Sequence, residues 1–142
     1  MGILKKIREV DTGYIQESCK KNGIELLLLF GSVAREKEHR SSDIDFAYRS
    51  KKRLEFSREM EFKNSLKTIF DLKDYSVDLV YIKEADPLLL KKISEDAFLI
   101  FGSEKDFYEF KRIAFHKYSD YKPYLQREKI ETAKLIERLK SA

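Results

Sequence analysis

Apolar positions change their period several times along this chain, and each change marks an element. Ile3, Ile7, Val10 and Tyr14 recur every three to four residues, with Ile15 and Cys19 beside them. That spacing predicts helix over residues 3–22, divided near Gly13 and closed by Asn22-Gly23, because glycine is the usual residue past a helix C-terminus. The run from Glu25 to Phe30 is too short and too uniformly apolar for a surface helix, so a strand covered on both faces is expected. From Asp43 to Arg49 the pattern alternates. Ile44, Phe46 and Tyr48 fall on one face, and Asp43, Asp45 and Ala47 on the other. Phe62, Leu66, Ile69 and Phe70 give the i, i+4, i+7, i+8 stripe of a buried face within a helix expected over residues 53–72. Residues 75–82 alternate again, with Asp78 between Val77 and Leu79.

Asp86-Pro87 opens another helix, since proline suits the first turn, with Leu89, Ile93 and Ala97 along one face. Residues 98–101 read as a short apolar strand ending at Gly102. Ser103-Glu104-Lys105-Asp106 has the form of a helix-starting cap, and Phe107, Phe110, Ile113, Ala114 and Tyr118 follow it. This helix is expected to weaken before Pro123, because proline disfavours helical geometry at the preceding residue. A last helix is expected over 124–139, with Ile130, Ala133, Ile136 and Leu139 on one side. With 5 Gly and 2 Pro in 142 residues no linker stands out. A single domain is expected over 1–142, with a core of about 1–102 and C-terminal helices over about 103–142.

Composition narrows the classes. Hydrophobic residues make up 42% and charged residues 38%, with a net charge of +4. The balance suits an anionic partner such as a nucleotide. Acids are interspersed almost everywhere, so direct nucleic-acid binding, which concentrates Lys and Arg on one face, is not expected. Cys19 is the single cysteine and cannot form an internal disulfide, which fits a reducing cytoplasm. His39 and His116 lie far apart, against a Cys/His zinc site. No apolar run reaches the length of a membrane span, and the start, MGILKK, lacks the apolar region of a signal peptide.

The chemistry concentrates in Gly31 to Asp45, GSVAREKEHRSSDID, where ten residues separate Ser32 from Asp43. Gly31 lets a ligand approach the backbone closely. A short helix over 32–37 would point its amides at an anion, and Ser41-Ser42 would turn the chain into the second strand. Residues two apart on a strand face the same way, with alpha carbons roughly 6.5–7 Å apart, so Asp43 and Asp45 can converge. Two divalent ions in a phosphoryl-transfer site sit ~3.5–4 Å apart, within the span of such a pair. Oxygen ligands together with phosphates suit Mg²⁺. Asp78 is the candidate third carboxylate, since an unpaired charge inside an apolar strand would be costly and a cation would remove that cost. Arg35, one turn from Ser32, could reach an anionic oxygen. Each piece alone has a plain reading: Asp-x-Asp is common at turns, Asp78 would suit a sheet edge, and Arg35 a solvated surface. Gly102-Ser103 looks similar to Gly31-Ser32, but no Asp-x-Asp follows it and helix capping explains it. Lys51-Lys52-Arg53 reads as a solvated loop that could also meet a nucleotide.

The Gly-Ser, ten-residue, Asp-x-Asp pattern resembles the signature of polymerase-beta-type nucleotidyltransferases. The short chain and the segment VDLVYIKEADPLLLKKISEDAFLIFG are similar to the minimal nucleotidyltransferases, more narrowly the MntA-type antitoxins encoded beside HEPN-domain toxins. This resemblance implies an α+β fold, a small mixed sheet with helices packed on it, here with a helical C-terminal extension. It implies that Gly31 and Ser32 hold nucleotide phosphates, with Arg35 beside them. Asp43 and Asp45 would bind two Mg²⁺ ions, and Asp78 would complete the metal site and help deprotonate the acceptor. The implied activity is transfer of AMP from ATP to a tyrosine of the partner toxin, blocking its RNase function. Relatives often carry Gly after the Ala-Arg pair, where this chain has Glu36. A non-catalytic antitoxin that masks its toxin, with the tyrosine-rich C-terminal segment as docking surface, is the competing expectation. A transferase acting on a small molecule, such as an antibiotic hydroxyl, is a third.

Overall fold

The computed structural model describes residues 2–36 and 43–141. Its elements run α1 (Ile3–Glu9), α2 (Thr12–Lys21), β1 (Ile24–Phe30), β2 (Ile44–Ser50), α3 (Phe56–Ile69), β3 (Val77–Tyr81), α4 (Pro87–Asp96), β4 (Phe98–Phe101) and α5 (Glu104–Ser141). A 3-10 turn, Ile82–Glu84, follows β3. The four strands form one sheet in the order β3-β2-β1-β4. β1 is antiparallel to both β2 and β4, whereas β2 and β3 run parallel, joined by the α3 crossover. This is the mixed α+β sheet that the resemblance implied.

β1 sorts the core. Leu26 to Leu29 are completely buried, as expected for a strand covered on both sides. Leu27 and Leu29 join Ile44, Phe46, Tyr48, Val77, Leu79 and Tyr81 under α1, α2 and α3, which supply Ile7, Ile15, Cys19, Phe62 and Leu66. Leu26, Leu28, Phe30 and Ala47 face the other way, under Leu90 and Ile93 of α4 and Phe110 and Ala114 of α5. The period-2 alternation of β2 thus sends its aromatics to one core and its aspartates to the other face.

Several boundaries depart from the sequence reading. The first helical stretch breaks at Val10–Asp11, ahead of Gly13, because Asp11 caps α2 by accepting from the Gly13 amide at 2.9 Å. α3 is shorter than expected; residues 53–55 remain non-helical. Residues 32–36 form turns in place of a short helix, and the rest of that expected element, with Ser41-Ser42 and His39, lies outside the described residues. The expected cap at Ser103 forms, its Oγ accepting from the Asp106 amide at 3.0 Å, and Asp86 caps α4 in the same way, its Oδ1 accepting from the Leu89 amide at 2.8 Å.

The largest correction concerns Pro123. α5 runs through it as one 38-residue helix, about 57 Å long. Proline removes one amide donor, the one that would bond the Ser119 carbonyl. Ser119 is exposed, so water can take the orphaned acceptor and the helix survives. The apolar side of the expected last helix, with Ile130, Ile136 and Leu139, is open to solvent. Among the described residues no helix is long and apolar enough to cross a membrane.

Residues 126–141 bury no side chain. Deleting residues 127–142 should therefore lower unfolding stability by less than about 1 kcal/mol, measured by urea denaturation. A larger loss would show that this segment packs against the domain.

Candidate active site

Antiparallel pairing of β1 with β2 sets Phe30 opposite Asp45, so the turn leaving β1 meets the second aspartate directly. Parallel pairing of β2 with β3 sets Asp78 beside Asp45 in register. Asp43, one residue before β2, shares the face of Asp45. All three carboxylates therefore gather at one end of the sheet, on the α4–α5 side. Their environments differ. Asp45 is half-buried, while Asp43 and Asp78 are exposed. The expectation that Asp78 bears the cost of a buried charge is thus corrected, because β3 is an edge strand and leaves Asp78 open to water. Asp45 carries that cost instead. Burial, and then the charges of Asp78 and Asp43, push its pKa from the usual 3.8 up to about 6.

Gly31 is required where it stands. Its φ is +81°, a left-handed conformation, and a Cβ there would collide with Asp45 Oδ2. After it, the chain closes a turn with Arg35 N–H donating to the Gly31 carbonyl at 3.2 Å and Glu36 N–H to Val33 at 3.0 Å. The amides of Ser32, Val33 and Ala34 donate no hydrogen bond among the described residues. Successive free amides beyond a left-handed glycine make a concavity suited to an anion. The function expected of a short helix is thus available from a turn.

Arg35 pairs with an acid outside the three carboxylates. Its guanidinium Nη1 pairs with Asp96 Oδ2, 3.1 Å away at the end of α4. No spacing rule would have found Asp96, 61 residues along the chain. Glu36 has φ +57°, and glycine occupies such a conformation without the cost a side chain incurs. The glycine of the resembled family would fit this backbone unchanged.

No three or more His, Cys, Asp or Glu side chains among the described residues form a ready-made metal cage. The donor set nevertheless fits a hard divalent cation: three carboxylates share one face, and their mutual repulsion is part of what raises the Asp45 pKa. Mg²⁺ commonly keeps several waters and takes only one or two carboxylates with substrate phosphates, so a closed cage is not what it needs.

A family model described as polymerase beta, nucleotidyltransferase, matches residues 14–106. Among solved structures, a toxin–antitoxin complex with AMP-PNP is similar at 23% identity, covering 87% of this chain and 99% of that one, with a TM-score of 0.72. A tri-AMPylated Shewanella oneidensis HEPN toxin in complex with MNT antitoxin is similar at 21% identity, covering 86% and 95%, with a TM-score of 0.66. The MntA-HepT toxin–antitoxin complex is similar at 21% identity, covering 86% and 96%, with a TM-score of 0.65. At these identities the likeness speaks for the fold. No curated protein sequence matches the chain.

The raised Asp45 pKa has a definite sign. Its ionised form is disfavoured in the metal-free fold, so the associated stability is fully present below about pH 4 and is lost as pH rises through about 6. Asp45→Asn should stabilise the metal-free protein at pH 8 by about 1–2 kcal/mol, after allowance for partial exposure, and have no such benefit at pH 4. Thermal melts in EDTA across pH 4–8 check this. Gly31→Ala should cost about 1–2 kcal/mol from backbone strain alone and displace Asp45, read as a lowered melting temperature.

Proposed function

Because the chain belongs to the polymerase beta nucleotidyltransferase family, we propose that it transfers AMP from ATP, with Mg²⁺, to a tyrosine hydroxyl of a HEPN-domain RNase toxin, and so neutralises that toxin. The observation that carries this reading is the meeting of Asp43, Asp45 and Asp78 beside the Gly31-Ser32 turn. Likeness in fold to toxin–antitoxin complexes, one with AMP-PNP and one with a tri-AMPylated toxin, supports the choice of nucleotide and partner.

In this reading the free amides after Gly31, with the Ser32 hydroxyl, hold triphosphate oxygens, and Arg35 leaves Asp96 to join them. Asp43 and Asp45 hold two Mg²⁺ ions, with Asp78 completing the set. Bound Mg²⁺ supplies charge neutralisation on the phosphates and favours the deprotonated acceptor. The tyrosine oxygen attacks the α-phosphorus in line with the departing bridge oxygen. A bond forms from that oxygen to phosphorus, the bond from the α-phosphorus to the bridge oxygen breaks, and pyrophosphate leaves. Asp78, exposed on an edge strand, lies where an acceptor on a second protein can reach it and takes the tyrosine proton. The half-buried Asp45 is held by the fold and keeps its position as the partner docks.

A second reading, masking of the toxin by binding alone, is favoured by the exposed apolar side chains of α5, among them Tyr124, Ile130, Ile136 and Leu139. Both readings share that helix as docking surface, and one experiment separates them. Incubation with labelled ATP, Mg²⁺ and the toxin encoded by the neighbouring gene should label the toxin, and Asp45→Asn should reduce labelling to background. An unlabelled toxin that is still neutralised by Asp43→Ala would leave masking as the mechanism.

A further inference from the structure

An open cleft of about 910 Å³ lies at the end of the β1–β2 pair away from the carboxylates, where Ile24 pairs with Ser50. Six residue steps of strand separate the two ends, about 20 Å. The cleft draws cations from three elements: Lys20 near the end of α2, Lys51, Lys52 and Arg53 between β2 and α3, and Arg58 in the first turn of α3. Two acids, Glu25 and Glu55, also line it. Glu25 is engaged by Arg49 at 3.4 Å, and Arg53 is held by Glu84 at 2.5 Å and Glu59 at 3.6 Å. Lys20, Lys51, Lys52 and Arg58 make no ion pair among the described residues.

The connection carrying Lys51 and Lys52 is fixed in shape. The Tyr81 hydroxyl donates to the Ser50 carbonyl at 3.1 Å, the buried Ser50 hydroxyl donates to the Lys52 carbonyl at 2.5 Å, and the Leu54 amide donates to the Tyr48 hydroxyl at 3.1 Å. Two core tyrosines and a buried serine thus hold a basic loop that a solvated surface would leave free. Holding like charges together before a ligand arrives lowers the cost of binding an anion. The cleft offers no aromatic ring on which a base could stack, and its cations converge on one hollow, unlike the extended stripe of a nucleic-acid site.

We propose that this cleft is a second anion site, taking a small ligand with two or more linked phosphates, separate from the nucleotide site at the carboxylate end. Inorganic polyphosphate and a nucleoside polyphosphate share the required chemistry. The proposal does not depend on transfer activity, and its test omits metal, so that the three carboxylates at the other end repel the probe. Isothermal titration of the full chain with inorganic tripolyphosphate, in EDTA at low salt, should show one saturable site. ATP under the same conditions distinguishes the sources: equal affinity means that the phosphate chain alone is read, and tighter binding means that the nucleoside contributes. Lys51→Ala/Lys52→Ala, and independently Arg58→Ala, should weaken binding about tenfold or more, with unchanged circular dichroism, while Asp45→Asn leaves it intact. The proposal fails if tripolyphosphate does not bind, if the cleft variants bind as well as the parent, if Asp45→Asn abolishes binding, or if a single-stranded RNA binds where tripolyphosphate does not.

Discussion

The carboxylate end of this fold depends on a half-buried charge packed against a residue that has no side chain. Asp45 can project from β2 only because Gly31 leaves the space a Cβ would fill, and Gly31 can turn only because its φ is left-handed. Pairing across β1 and β2 imposes this meeting, and pairing of β2 with β3 adds a second acid in register. Burial, with Asp78 and Asp43 nearby, raises the free energy of the ionised Asp45, so the metal-free arrangement holds electrostatic strain that a divalent cation would relieve. Strain of this kind is stable only on a rigid base, and the base here is the fully buried leucine run of β1. The hydrophobic core and the polar site are therefore two consequences of the same strand pairing.

That pairing also separates opposite charges. One end of β1–β2 carries three carboxylates, and the other carries the lysines around Ser50. About 20 Å of packed strand lies between them, about two and a half Debye lengths at physiological salt, so the basic end offsets the acidic end little. The sequence-wide balance of acids and bases that argued against a nucleic-acid surface conceals this segregation, because folding collects residues that composition averages.

How far the sequence disclosed the fold depends on how local each signal was. β4 was legible to the residue and β1 nearly so, because apolar runs bounded by glycine leave little choice. Gly31, Ser32, Asp43 and Asp45 could be singled out as candidates because their chemistry lies within one stretch of chain. Asp78 was singled out by its oddness in an apolar strand and does stand beside Asp45, yet the reason offered was wrong: on an edge strand it is exposed, and the cost of burial falls on Asp45. The Arg35–Asp96 pair left no trace in spacing, and of the cleft at Ser50 only Lys51-Lys52-Arg53 stood out, since Lys20 and Arg58 join them only through tertiary packing. Glu36 looked like a change at a phosphate turn, but its left-handed φ shows a backbone already shaped as glycine would shape it. The chain bears the cost of a side chain there and keeps the turn.

α5 shows where local rules lose to context in the other direction. The helix was expected to weaken before Pro123 and a separate last helix to follow; instead one helix runs through, and the apolar stripe of its last turns is exposed. Tyr118, Tyr121 and Leu125 are half-buried, with Lys91 of α4 4.5 Å from the Tyr118 ring centroid. Thr132, Ile136 and Leu139 continue the same face by helical spacing, but nothing in the domain reaches them. An isolated helix of about 16 residues is marginal in water, so this half of α5 draws its order from continuity with the packed half. A free apolar face supported in that way contributes little to folding. Its exposure is tolerable in a monomer only at some cost in solubility, which association with another surface along that stripe would remove.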